Sequence, residues 1–151
     1  NVQEALSFLD SAAGGANGSA ATQLRLRMAE ILLGQDRAAE ACKLLKQIAS
    51  EDGQNVRARS LLLGLPPAVD GSLDRQQIIN QLKDIEGENG VTWRFWQALV
   101  WINSDDWSAH RGQIESLLKE CLARQPEWYQ ATSALALFYE RAGCDRSACA
   151  S

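Results

Sequence analysis

His110 is the only histidine of the chain, and it falls on the first turn of a segment that opens at Ser108. A general base or metal ligand needs partners at hydrogen-bonding or coordination spacing. Neither His-x-x-x-His nor Cys-x-x-Cys occurs, so this imidazole reads as a solvent-facing or helix-start residue. Carboxylates gather at Asp84, Glu86 and Glu88 and again at Asp105-Asp106. An acid–base pair would require one of them buried with a raised pKa, whereas both clusters fall in expected turns or helix ends, where carboxylates are ordinarily solvated. There is no Gly-Lys-Ser/Thr phosphate loop and no Gly-x-Ser-x-Gly elbow, and no strand precedes the stretch from Gly87 to Gly90. The expectation is therefore no enzyme, no catalytic residue, no metal and no cofactor.

The thiols lead the same way. Cys42 and Cys121 lie on apolar stripes, where sulfur acts as a small hydrophobe. Cys144 and Cys149 match no zinc or thioredoxin-like spacing. Reduced thiols would place the chain in the cytoplasm, and a Cys144–Cys149 disulfide stays open as an alternative. Nineteen acids against fifteen bases give a net charge of −4, the wrong sign for binding nucleic acid phosphates. No run approaches the roughly 18 to 20 apolar residues that cross a bilayer, so membrane insertion is not expected. Asn1 to Asp10 read as an amphipathic helix rather than a secretory leader, and the missing initiator Met suggests a piece of a longer protein.

With 46% apolar residues the chain can bury a substantial core, and one domain over residues 1–151 is expected. Its hydrophobic period is helical. Ala38, Ala41, Cys42, Leu45, Ile48 and Ala49 fall on one stripe, as do Ile114, Leu117, Leu118, Cys121 and Leu122, and then Trp128, Ala131, Leu135, Phe138 and Ala142. Nothing alternates as a half-buried strand does. Glycine and proline breaks divide the chain into helices near 2–13, 20–33, 37–51, 54–64, 73–86, 92–103, 107–125 and 127–142, with a truncated one from about 145. Ser19, Asp36, Ser72, Thr92 and Asp106 are the expected N-caps. Helix pairs start near Ala20, Asn55, Trp93 and Glu127, a recurrence of roughly 34 to 38 residues that marks a stacked repeat.

Residues Gln23 to Gly53 resemble a tetratricopeptide repeat. Leu26, Ala29 and Leu32 sit on the first helix, Gly34-Gln35-Asp36 forms the turn, and Ala41 stands at the helix crossing with Leu45 as filler. The segment Trp128 to Ala150 resembles the same motif: Ala136 and Tyr139 on the first helix, Arg141-Ala142-Gly143 leading into a turn, Ala148 in the close-packed place, and Pro126 where a repeat usually ends. Departures are Gly53 where the family often has Pro and the Pro66–Gly71 insertion. The resemblance implies an all-α fold, a right-handed α-α superhelix or solenoid of about four to five helix pairs, with truncated terminal repeats.

It also implies a partner-binding groove lined by the first helix of each pair. Matching positions are Gln23, Glu30, Arg94, Gln97, Gln130, Ser133, Leu137 and Glu140. The helix with Trp93, Phe95, Trp96, Leu99, Val100, Trp101 and Ile102 is apolar nearly all round, which suits the centre of a stack. Trp101 or Trp96 is the alternative aromatic anchor for a peptide, flanked by Arg94 and Gln97. The expected function is a scaffold holding a protein or peptide. The alternative is a structural spacer that self-assembles, as a homo-oligomer, through exposed repeat ends.

Overall fold

The hydrophobic stripes fold into helices that each pack on their chain neighbour. In the computed structural model residues 1–66, 68–71 and 73–150 are described, with side chains as far as Gly143. Eight α-helices and one 3-10 turn account for the regular structure of these residues, and no strand occurs among them. They form two compact units, residues 1–74 and 75–151. No helix among the described residues is long and apolar enough to cross a membrane.

The first unit holds α1 (Val2–Gly15), α2 (Gly18–Gly34), α3 (Ala38–Glu51) and α4 (Val56–Leu63). The α3 stripe is inward: Ala41 and Leu45 are fully buried, and Cys42 and Ile48 nearly so. Ala29 on α2 is also fully buried, so at both positions a side chain ending at Cβ lets neighbouring backbones approach. Burying a leucine or isoleucine contributes about 1.5–3 kcal/mol, so Leu45 and Ile48 are among the strongest anchors of the hairpin. Asn1 and Asn55 cap α1 and α4 by accepting from the amides of Gln3 and Ala58. Buried Arg59 donates to the carbonyls of Ala49, Asp52 and Asn55, satisfying acceptors where α3 has ended.

Asp36 corrects an expectation. It does not cap α3, whose N-cap is Arg37, but adopts the left-handed conformation (φ 58°) just beyond α2. The amides of Arg37 and Asp36 then bond back to the carbonyls of Leu32 and Leu33, a Schellman closure that usually selects glycine at this place. Likewise Asn17, not Ser19, stands at the start of α2.

The second unit holds α5 (Arg75–Glu86), α6 (Thr92–Ile102), a 3-10 turn (Trp107–His110), α7 (Arg111–Arg124) and α8 (Tyr129–Ala150). Thr92 is the first helical residue of α6 rather than its cap, and the Glu86 carboxylate accepts from the Trp93 amide in its stead. Asp106 precedes the 3-10 turn without a side-chain cap bond, and α7 starts behind His110. The expected N-cap Ser72 lies outside the described residues.

Helix α6 is central to this unit and packs on α5, α7 and α8. Phe95, Ala98 and Ile102 join Ile114, Leu118 and Cys121 of α7 and Ala131, Ala134 and Phe138 of α8 in one core. The stop expected at Gly143 is absent: α8 runs on to Ala150. A single glycine inside a helix costs only about 1 kcal/mol against alanine, too little to end one that packing holds on its N-terminal side. The side chains of Ala148, Cys144 and Cys149 lie outside the described residues, and with them the packing place and the disulfide alternative.

Candidate functional site

Two surfaces of the second unit gather the residues of interest. The first is a cleft of 410 Å³ with α6 as its floor and α5 and α7 as its walls. From α6 it takes Trp93, Gln97 and Trp101, one turn apart on a single face. Trp101 is fixed from behind: its indole lies parallel to the His110 ring, centroids 4.4 Å apart and planes 2° off. His110 is itself held by Gln113 at 3.0 Å from Nδ1 and Asp106 at 3.6 Å from Nε2. It thus stands at the start of α7, as its N-cap residue, but half-buried on the α6–α7 connection and not fully facing solvent. Asp106 is held below the ordinary carboxylate range, first by a hydrogen bond with Ser104 and then by its own backbone and His110.

Trp93 is fixed as well. Its indole N–H donates to the carbonyl of Gly87, a glycine at φ +79° where the α5–α6 turn needs left-handed backbone. The ammonium of Lys83 sits 4.8 Å from its ring and the guanidinium of Arg94 4.5 Å. Across the floor, Gln97 exchanges two amide hydrogen bonds with Gln76 of α5. Lys83, Asn80, Gln113, Ser116 and Leu117 line the walls.

The second surface is the outer face of α8. Gln130, Ser133, Leu137 and Glu140 form one exposed stripe, beside Tyr129, which is 78% exposed. Ala136 and Tyr139, expected at close-packed positions, are exposed too. The packed stripe is instead Ala131, Ala134, Phe138 and Ala142, and Tyr139 reaches Glu115 with its hydroxyl.

The remaining candidates are placed differently. Arg94 is buried, donating to the Gly90 carbonyl and pairing with Glu120 at 2.8 Å, which makes it a strut between α6 and α7 and not a groove contact. Gln97 is buried by its bond to Gln76 but still borders the cleft with Trp101. Trp96 packs against the core and edge-on to Phe95. In the first unit Gln23 is exposed on α2, while Glu30 is held by Arg27 and Arg57.

Sequence reasoning missed Lys83, Asn80, Gln113 and Ser116, because each by itself is a polar residue on a solvated helix face. A lysine ten residues before a tryptophan, across a tight turn, was the one available signal. Chemically, the arrangement offers aromatic walls, neutral hydrogen-bonding groups and one cation. Among the described residues no group of three or more His, Cys, Asp or Glu side chains is placed to hold a metal.

Among the described residues the regular structure is a series of helices, each packed on its chain neighbour through a short connection. Residues 1–65 match the family model of the tetratricopeptide repeat, and this match supports assigning the chain to the tetratricopeptide family. Repeats of this family generally mediate protein–protein interaction, typically on a non-enzymatic fold. No curated protein and no solved structure matches the chain.

Proposed function

We propose that the chain is a scaffold that holds a protein or peptide partner against exposed helix faces, with the outer face of α8 as a principal contact. The observation that carries this reading is the open stripe itself. Leu137 is 48% and Tyr129 78% exposed, off the packed stripe of Ala131, Ala134, Phe138 and Ala142. Gln130, Ser133 and Glu140 border them, giving the mix of aromatic anchor and polar rim that partner surfaces use. Gln23 on α2 extends the same reading to the unit with the tetratricopeptide match.

The test is affinity capture from an extract of the source cell with the wild-type chain and with Tyr129→Ser/Leu137→Ser. Both side chains are already exposed, so the variant keeps its fold. The expected result is a set of proteins held by the wild type and lost by the variant; an identical set from both removes the reading.

The alternative, a self-assembling spacer, draws on Phe8, 72% exposed on α1, as a second uncovered apolar residue. Light scattering decides between them. A mass that stays monomeric over a wide concentration range supports the scaffold, and an association abolished by Phe8→Ser supports the spacer.

A further inference from the structure

We propose that the cleft between α5 and α7 is a second recognition site, one that takes a large apolar side chain lying next to a carboxylate in an extended peptide. The inference rests on the scaffold reading but concerns a different surface from the α8 stripe.

The apolar half of the argument is geometric. Trp93, Trp101 and Leu117 border a space of 410 Å³, within the range of roughly 300–1,000 Å³ typical of small-ligand sites and large enough for one aromatic or branched side chain with its backbone. Both indoles are held in place before anything binds, Trp101 by the parallel His110 ring and Trp93 by its N–H bond to Gly87. Preset aromatic walls lose little entropy on binding, which is why tryptophan recurs at hot spots.

The charged half is electrostatic. Among the described residues Lys83 is the only charged one bordering the cleft, in a chain whose net charge is −4. Its ammonium is loosely engaged: 4.8 Å from the Trp93 ring and 3.6 Å from a Glu88 carboxylate that is 82% exposed. An incoming carboxylate that reached Lys83 would meet an exposed cation held beside the cleft by the Trp93 ring, so that the charge stands where the peptide would lie. Asn80 and Gln113 supply neutral donors and acceptors for the peptide backbone. A basic peptide finds no acid in this lining, and an uncharged one leaves the cation unused.

A random octapeptide phage library selected on the full chain tests the proposal, with Gly112→Phe as counter-target. Gly112 borders the cleft, and a Cβ added there meets nothing within 4 Å, so a side chain can start there without a clash and a phenyl group is bulky enough to crowd the mouth. Equal thermal midpoints of both proteins check this. The expected result is enrichment of an aromatic or aliphatic residue beside Asp or Glu, lost on Gly112→Phe. Calorimetry with a selected peptide should then show Lys83→Met weakening binding about tenfold or more, with Lys83→Arg restoring most of it. Enriched peptides that bind Gly112→Phe equally, that are basic, or that ignore Lys83→Met overturn the proposal. So does a selection that enriches nothing. Peptides lost on Tyr129→Ser/Leu137→Ser but not on Gly112→Phe overturn this site while leaving the scaffold reading intact.

Discussion

The carboxamides of Gln76 on α5 and Gln97 on α6 are joined head to tail: Gln76 donates to Gln97 at 2.8 Å, and Gln97 returns a bond at 3.1 Å. Gln97 is only 7% exposed, so its amide depends on this one partner within the helix pair. Gln76 is exposed, so the cost of breaking the pair falls on the buried Gln97 amide, at about 1 kcal/mol for a hydrogen bond lost with one partner in water. Gln76→Leu and Gln97→Leu should therefore each lower the stability of the chain by about 1 kcal/mol, and the double variant Gln76→Leu/Gln97→Leu by less than their sum. Urea unfolding of all four proteins in a double-mutant cycle measures the coupling.

Asp36 offers the opposite sign. A non-glycine residue at φ 58° carries strain that glycine does not, so Asp36→Gly should stabilise the chain by up to about 1 kcal/mol without altering the turn. A midpoint that falls in thermal unfolding would show that the Asp36 side chain contributes more than its backbone costs.

Glu30 predicts a pH dependence. It is held below the ordinary carboxylate range, chiefly by the hydrogen bond from Arg57 and then by that from Arg27, against the opposing effect of its own burial. A carboxyl with a depressed folded-state pKa contributes stability above its unfolded value and loses it as pH falls through the lower folded value. The wild type should therefore lose stability below about pH 4 more steeply than Glu30→Gln. At neutral pH the two should differ by at most about 1 kcal/mol, since the group is partly solvated. Parallel denaturation series between pH 2 and 7 give the comparison.

Cys121 should be inert while the chain is folded. Burial is the main cause that pushes its thiol up to about 11, and its Sγ faces the Val91 carbonyl at 3.5 Å. At pH 8 roughly one molecule in a thousand would carry the thiolate, and that sulfur is covered. In a Cys144→Ser/Cys149→Ser background, a thiol reagent should label Cys121 and buried Cys42 only as fast as the protein opens, and immediately in denaturant.

What could be read before folding follows the physics of burial. The α3 stripe was legible because apolar type and helical period agree: Ala41, Cys42, Leu45 and Ile48 carry no polar group that could point elsewhere. In α8 the period alone marked Ala131, Phe138 and Ala142, all buried, while the family pattern moved the packed face to Ala136 and Tyr139. Alanine and aromatic residues on two faces of one helix make such a shift easy. The burial of Arg94 and Gln97 was hidden for another reason. Their types announce solvent, and the partners that let them be buried, Glu120 and Gln76, sit on other helices 26 and 21 residues away. The cleft was illegible for the same cause, since its lining comes from three helices.

Trp107 lies in the short 3-10 turn, yet the guanidinium groups of Arg111 and Arg141 each stand 4.6 Å from its ring, and Phe138 meets it edge-on at 6.3 Å. Arg141 goes on to bond the Ile102 carbonyl at the end of α6. One indole therefore rivets three separate stretches of chain. Trp107→Ala should let the last helix come adrift before its neighbours, so that the amides of α8 exchange with solvent ahead of those of α6.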